Sequence, residues 1–144
     1  MSMLKHWFER ENVRLAAEGK VALVDSFSTF SHVYFSADYE AVFRALPELY
    51  RLAAHLGEPI WRTVLSYYAA PAHIYWRGDL ARGLELATEA IVQAVNLLGP
   101  WDTLTHYLRE MLLYAWLRTD TPGYVDDVQA VLDEALAVPL DGDL

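Results

Sequence analysis

Three side chains near the start of the sequence are of the types that a hydrolytic triad uses. Asp25, Ser28 and His32 share one face of a predicted helix. Asp25 and His32 are separated by about 10.5 Å of helix rise, whereas a triad needs its histidine within hydrogen-bond reach of both partners. We therefore predict no catalytic residues from this set.

Metal-binding chemistry has only scattered candidates. His73 and His106 could meet across neighbouring helices, with Glu110 one turn beyond His106. Glu85 and Glu89 are one turn apart, but charges with this spacing usually form a solvated helix face. The chain has no cysteine and no HExxH motif. We expect no metal site and no cofactor.

The charge distribution excludes some classes of partner. The net charge is −9, and every charged residue from Asp120 onward is acidic. Binding to a phosphate backbone needs clustered lysine and arginine, so we expect no nucleic acid partner and no anionic membrane partner. No apolar run approaches the length of a membrane span, and charges come too early for a signal peptide. We expect a cytoplasmic protein.

Apolar residues recur at helical spacing almost throughout the chain. Glycine and proline separate the periodic segments, as in Leu98-Gly99-Pro100. Short connections make neighbouring helices antiparallel. Pro47 and Pro71 fall inside predicted helices and should kink them. The seven predicted helices span 2–18, 21–35, 39–56, 60–77, 80–98, 101–118 and 124–137. Residues 1–138 are predicted to be one domain, and 139–144 a C-terminal tail.

Two residue series repeat at intervals of 41 residues. They are the aromatic residues Tyr34, Tyr75 and Trp116, and the acidic residues Asp38, Asp79 and Asp120. Each predicted unit is a helix that ends near an aromatic residue, a tight turn, and a second helix. The aspartates are predicted to cap the second helix, because a carboxylate accepts hydrogen bonds from its first free N–H groups. Such hairpins must stack to bury their apolar stripes.

The segment from Tyr67 to Ala90 resembles a tetratricopeptide-repeat (TPR) motif. It has a large aromatic residue early in the first helix, a Gly78-Asp79 turn, and small residues in the second helix at Gly83, Ala87 and Ala90. Pro71 departs from the pattern, as does a period longer than the usual 34 or so residues. The chain is thus similar to divergent TPR-like arrays, which implies a right-handed superhelix of about seven antiparallel helices.

This resemblance implies a concave surface lined by equivalent faces of the first helices. Aromatic side chains with a polar atom suit peptide recognition there. An alternative is that the aromatic series is core between repeats, since large aromatic residues are usually buried. The predicted partner-binding residues are Phe27, Ser31, Tyr34, Tyr68, Tyr75, His106, Arg109 and Trp116.

The function predicted from these features is a non-catalytic scaffold for a protein or peptide, with a second copy of the chain as another candidate partner. It could form the regulatory or sensor part of a larger system. The alternative is a small helical ligand-binding domain or enzyme with a pocket around Tyr68, Tyr75, His106 and Arg109. Fold analogy does not decide between them.

Overall fold

The computed structural model describes residues 3–119 and positions 126, 129, 130 and 133, with side chains described from residue 5 to residue 113 and at those four positions. The described part is all-helical, which confirms the predicted class. Six helices follow one another: α1 (Met3–Ala17), α2 (Val21–Phe35), α3 (Tyr39–His55), α4 (Pro59–Pro71), α5 (Leu80–Leu98) and α6 (Thr103–Thr119). The predicted seventh helix, apart from those four helical positions, and the tail lie outside the described residues.

Local signals set the helix boundaries. Asp38 and Asp79 cap α3 and α5 as predicted, accepting hydrogen bonds from the N–H groups of Ala41 (3.2 Å) and Arg82 (3.1 Å). Asp120 lies outside the described residues. Gly78 precedes the Asp79 cap with φ of 65°, a left-handed conformation that glycine adopts without steric cost. The turn between α4 and α5 is therefore encoded by two adjacent residues.

The two prolines that were predicted to kink their helices lie in different local structures. Helix α3 continues through Pro47. Helix α4 ends at Pro71 and continues as a wider π-helical turn, Ala72–Trp76, with an N–H of Arg77 donating to the carbonyl of Ala72 at 3.3 Å. Proline has no N–H for the normal helical hydrogen bond, so Pro71 cannot donate to the preceding turn of α4. The widened turn carries His73.

Helix α4 is the centre of the molecule. It packs against α3, α5 and α6, and its Trp61, Val64 and Leu65 are fully buried. Helices α2 and α3 form one hairpin and α4 and α5 a second one. Since α3 and α5 are both antiparallel to α4, they run in the same direction on either side of it.

Helix α1 packs across the first helices of the predicted hairpins. It contacts α2 and α6, and its Trp7 ring lies 6.0 Å from that of Trp61 in α4. The Trp61 indole N–H donates to Glu11 of α1 at 3.2 Å. This helix therefore covers part of the surface on which the aromatic residues were expected to be open.

Helices α4 and α5 approach closely at the small residues. Gly83, Ala87 and Ala90 of α5 are buried, as the helix-crossing prediction required. A Cβ atom at Gly83 would collide with the side chain of Ile74 and lie 2.9 Å from the carbonyl oxygen of Ala70. No helix in the described part of the chain has the length and apolar character needed to cross a membrane.

Candidate functional site

A groove of about 830 Å³ runs between α3 and α5, with α4 as its floor. We call it the α3–α5 groove. Its volume falls in the range of about 300–1,000 Å³ that ligand sites usually have. Ala69 lies on the floor, and Leu46 and Leu86 contribute apolar surface from the two walls.

Three helical stripes build most of this groove. On each helix, the lining residues follow the spacing i, i+3 or i+4, i+7 and i+11, which places them on one face. The stripes are Phe43, Pro47, Tyr50 and Ala54 on α3; Arg62, Ser66 and Ala69 on α4, extended by His73 on the π-helical turn; and Arg82, Leu86, Glu89 and Gln93 on α5.

Hydroxyl and amide groups lie in the middle of the α3–α5 groove. The Tyr50 hydroxyl and the Ser66 hydroxyl are 2.9 Å apart and share a hydrogen bond. Burial raises the pKa of Tyr50 above its ordinary value, against the opposing effect of the hydrogen bond with Ser66. Gln93 also lines the groove, and its side-chain carbonyl accepts a hydrogen bond from the fully buried Thr63 hydroxyl at 3.2 Å. These polar groups could orient a bound molecule.

One end of the groove is cationic. The Arg77 guanidinium lies 3.5 Å from the centroid of the Phe43 ring, and the His73 ring packs edge-on against the same phenyl ring at 5.1 Å. The Nδ1 atom of His73 is buried and has no hydrogen-bond partner in the described part of the chain. Burial lowers the pKa of His73, and the charges of Arg77 and Arg82 lower it further, against a smaller opposing effect of Asp79. The imidazole therefore favours its neutral form.

The other end of the groove is closed by an ion-pair cluster. Glu58 is 5% exposed and accepts hydrogen bonds from Arg14 at 2.8 Å and Lys20 at 2.7 Å. The hydrogen bond from Arg14 is the largest effect that lowers the pKa of Glu58, and the one from Lys20 also lowers it. The Glu58 charge is thus already neutralised from the side of α1.

Two predicted aromatic residues lie in the core beneath α1. Phe27 and Tyr68 are buried, and their rings are 5.6 Å apart in an edge-to-face contact. Phe8 of α1 stacks on Phe27 at 5.3 Å. Together with Ser31, they line a second cavity of about 560 Å³, the α1–α2 cavity, whose opposite wall is formed by α1 with Lys5, Phe8, Glu9 and Asn12.

The structure places two members of the repeated aromatic series in different environments. Tyr34 is half-buried, and its ring lies 4.9 Å from Tyr68 and 5.0 Å from Trp76. Burial raises the pKa of Tyr34 to about 12. Tyr75 is 45% exposed. The third member, Trp116, belongs to α6, and its side chain lies outside the described residues.

The residues predicted for a catalytic or small-ligand pocket lie in different surroundings. Arg109 is buried, and its guanidinium donates to the carbonyl of Pro100 at 3.2 Å. His106 is exposed and lies 3.8 Å from Glu110. Tyr68 faces the α1–α2 cavity. In this arrangement, Arg109 fixes the connection between α5 and α6.

The arginines of the α3–α5 groove were not predicted as site residues. Arg62 and Arg82 belong to stripes that mix polar and apolar residues at helical spacing. This mixed pattern is the feature of the sequence that could have identified them. A purely apolar stripe indicates core, whereas a mixed one is typical of a surface that is partly covered. Arg77 follows the π-helical turn, so no simple helical spacing relates it to Arg62.

Within the described residues, no group of three histidine, aspartate or glutamate side chains is arranged to hold a metal ion. Comparison of the chain with protein-family models, with curated proteins and with solved structures gave no match.

Proposed function

We propose that this chain is a TPR-like, non-catalytic scaffold that binds a protein or peptide segment in the α3–α5 groove. The observation that carries the proposal is the groove itself, with its mixed apolar and polar lining and its volume of about 830 Å³. Apolar surface combined with a few oriented polar groups is the usual composition of a binding site. Such a domain could serve as the regulatory or sensor part of a larger system.

The TPR-like arrangement is supported by how successive hairpins meet. Rings of α2 and α4 interlock, with Phe30 and Tyr34 of α2 against Tyr68 of α4. Helix α4 also packs against α6, so first helices contact first helices along the chain. The close approach at Gly83 supports the same reading of α4 and α5 as one repeat unit. We propose that such stacked units form the right-handed superhelix that the TPR resemblance implies.

We choose the α3–α5 groove because α1 covers much of the aromatic face that α2 and α4 form. Phe8 and Trp7 of α1 pack against the aromatic residues of α2 and α4, so much of that face already has an occupant. Within the described residues, the α3–α5 groove beside α4 stays open. The α1–α2 cavity, with Phe27, Ser31 and Tyr68, is the second candidate surface because it retains about 560 Å³.

A peptide-display selection against the wild-type chain tests the proposal. Enriched peptides are then measured by fluorescence anisotropy against two matched variants, Ala54→Trp in the α3–α5 groove and Ser31→Trp in the α1–α2 cavity. Each variant adds one indole to a cavity wall, and circular dichroism checks that both remain helical. We expect Ala54→Trp to weaken binding by about tenfold or more, the effect of losing one well-placed contact region, and Ser31→Trp to leave it unchanged.

Two results would count against this function. A selection that enriches no peptide contradicts peptide binding. Loss of binding in Ser31→Trp with retention in Ala54→Trp would move the site to the α1–α2 cavity, as the sequence first suggested.

A further inference from the structure

The cationic side chains of the α3–α5 groove lie towards its two ends. Arg62 is near the start of α4, whereas Arg77 and Arg82 flank the turn between α4 and α5. About 20 Å of helix rise separates Arg62 from Arg77.

The positive charges of these arginines are only weakly neutralised by carboxylates of the same chain. In the part of the chain that the structure describes, no carboxylate forms an ion pair with Arg62 or Arg77. Arg82 pairs with Glu85 at 2.9 Å, but both side chains are about half exposed, and such surface pairs are weak enough to exchange partners. The guanidinium carbon of Arg77 lies 3.5 Å from the centroid of the Phe43 ring, and a guanidinium that contacts an aromatic face still has N–H donors for a carboxylate.

The acidic residues of the groove do not cancel this charge. Glu58 is held by Arg14 and Lys20 from outside the groove. Glu89 is the remaining acidic lining residue. It lies on the central part of α5, between the two cationic ends.

The spacing of the cations distinguishes between anionic ligands. One carboxylate or phosphate spans only a few ångströms and could reach one end of the groove. An extended peptide advances about 3.3 Å per residue, so five or six residues cover the distance between the two ends. Arginine binds carboxylates in a planar, bidentate geometry, and the apolar wall between the ends offers Leu46 and Leu86 to uncharged side chains.

We propose that the ligand of the α3–α5 groove is an extended acidic peptide segment, whose carboxylates pair with Arg62 at one end and with Arg77 and Arg82 at the other. This inference rests on the proposed function, because it names the ligand class for the same groove. The middle of the segment is uncharged, since it passes Glu89 and the Tyr50–Ser66 hydroxyl pair.

The test uses the full chain and two fluorescein-labelled peptides of about eight residues, matched to the length of the groove. The acidic peptide has glutamates at both ends and leucine and alanine between them, and the control peptide has glutamine in place of every glutamate. Anisotropy titrations compare wild type with Arg62→Gln, Arg77→Gln and Arg44→Gln. Arg44 is exposed on α3 outside the groove, so its variant changes the net charge equally.

We expect the acidic peptide to bind about tenfold more tightly than the glutamine peptide, and Arg62→Gln and Arg77→Gln each to weaken it about tenfold, as for loss of a charge-assisted hydrogen-bonded pair. Arg44→Gln should stay within about twofold, as distant surface charges are screened. An acidic peptide with its glutamates moved to the centre should bind less tightly than the original.

Other outcomes overturn the inference. If the glutamine peptide binds as tightly as the acidic peptide, binding does not depend on the peptide's charge. If Arg44→Gln and Arg62→Gln weaken binding equally, Arg62 is not a specific contact. Displacement of the acidic peptide by millimolar inorganic phosphate would assign the arginines to a small anion. Self-association of the wild type that is lost in Arg62→Gln would assign the groove to a second copy of the chain. If peptides from the display selection bind in the groove and the acidic peptide does not, the inference fails while the proposed function stands.

Discussion

The guanidinium of Arg14 and the carboxylate of Glu58 form a bidentate ion pair, with Nη2–Oε2 and Nη1–Oε1 distances of 2.8 Å and 3.1 Å. Arg14 is in the last turn of α1, and Glu58 immediately precedes α4. The pair therefore ties the helix that covers the aromatic face to the central helix of the molecule.

Replacing Glu58 with glutamine should lower the free energy of unfolding by about 1–2 kcal/mol at neutral pH. Hydrogen bonds to charged groups contribute about 1.5–3 kcal/mol, and we reduce this figure because the Arg14 side chain is 37% exposed. Urea denaturation followed by circular dichroism measures the difference. Glu48→Gln is the control, since Glu48 pairs with Arg51 on the open surface at 69% exposure and should cost little.

The Glu58 contribution should also depend on pH. The ion pair lowers the pKa of Glu58 from its ordinary 4.5, so the stabilisation is fully present above that value and is lost as the pH falls through the lower folded-state pKa. The difference between wild type and Glu58→Gln should therefore shrink below about pH 4.5. A difference that stays constant down to strongly acidic pH would contradict this role for Glu58.

Leu15→Ala tests whether α1 is an integral part of the core. Leu15 is fully buried, whereas Val13 on the same helix is 72% exposed. Truncating a buried leucine costs about 2–5 kcal/mol, and the matched Val13→Ala change should stay within about 0.5 kcal/mol. Similar denaturation midpoints for the two variants would mean that α1 does not pack on the domain as described.

Gly83→Ala should destabilise the chain although alanine favours helices. In an open helix this change stabilises by about 1 kcal/mol. Here the added Cβ collides with the Ile74 side chain and approaches the Ala70 carbonyl, and overpacking of this kind costs about 1–3 kcal/mol. Thermal denaturation should show a lower melting temperature.

A double-mutant cycle with Ile74→Ala provides the control for the Gly83 prediction. Because Ile74→Ala removes the colliding atoms, Gly83→Ala should cost less in that background. An equal cost in both backgrounds would show that the helices do not approach at this pair.

His73 should titrate below its ordinary pKa of 6.5, because burial and then the charges of Arg77 and Arg82 disfavour the imidazolium. Arg77→Gln should raise the pKa of His73, and the exposed control Arg44→Gln should leave it unchanged. NMR titration of the ring protons measures both. With a lowered folded-state pKa, the unfolded chain binds the proton first, so the His73 contribution to stability decreases as the pH falls below about 6.5. A His73 pKa at or above 6.5 would contradict the burial described.

Helix boundaries were predictable because they depend on neighbouring residues. The Asp79 cap and the Gly78 turn act within a few residues of the chain, and the apolar period that defines each helix is also local. The prediction of Gly83 as a crossing point came from the resemblance to a TPR motif, and the close approach at this residue confirms it.

The candidate site was less accessible to sequence reasoning. Tyr34 and Tyr75 occupy equivalent positions in the 41-residue spacing, yet one packs among rings and the other is 45% exposed. Their difference depends on which helices surround each repeat, and no residue within the repeat specifies that. The comparison of Ala54→Trp with Ser31→Trp tests which face binds a partner.

The sequence by itself determined the six described α-helices, their antiparallel connections and the two aspartate caps. Each of these features depends on contacts within one or two helical turns. Only the tertiary structure decided that α1 lies over Trp61 and Phe27 and that Arg62, Arg77 and Arg82 face one groove. The Arg14–Glu58 pair joins residues 44 positions apart. Such long-range partners are selected by the packing of whole helix faces, in which many weak contacts act together, and local sequence patterns do not encode that choice.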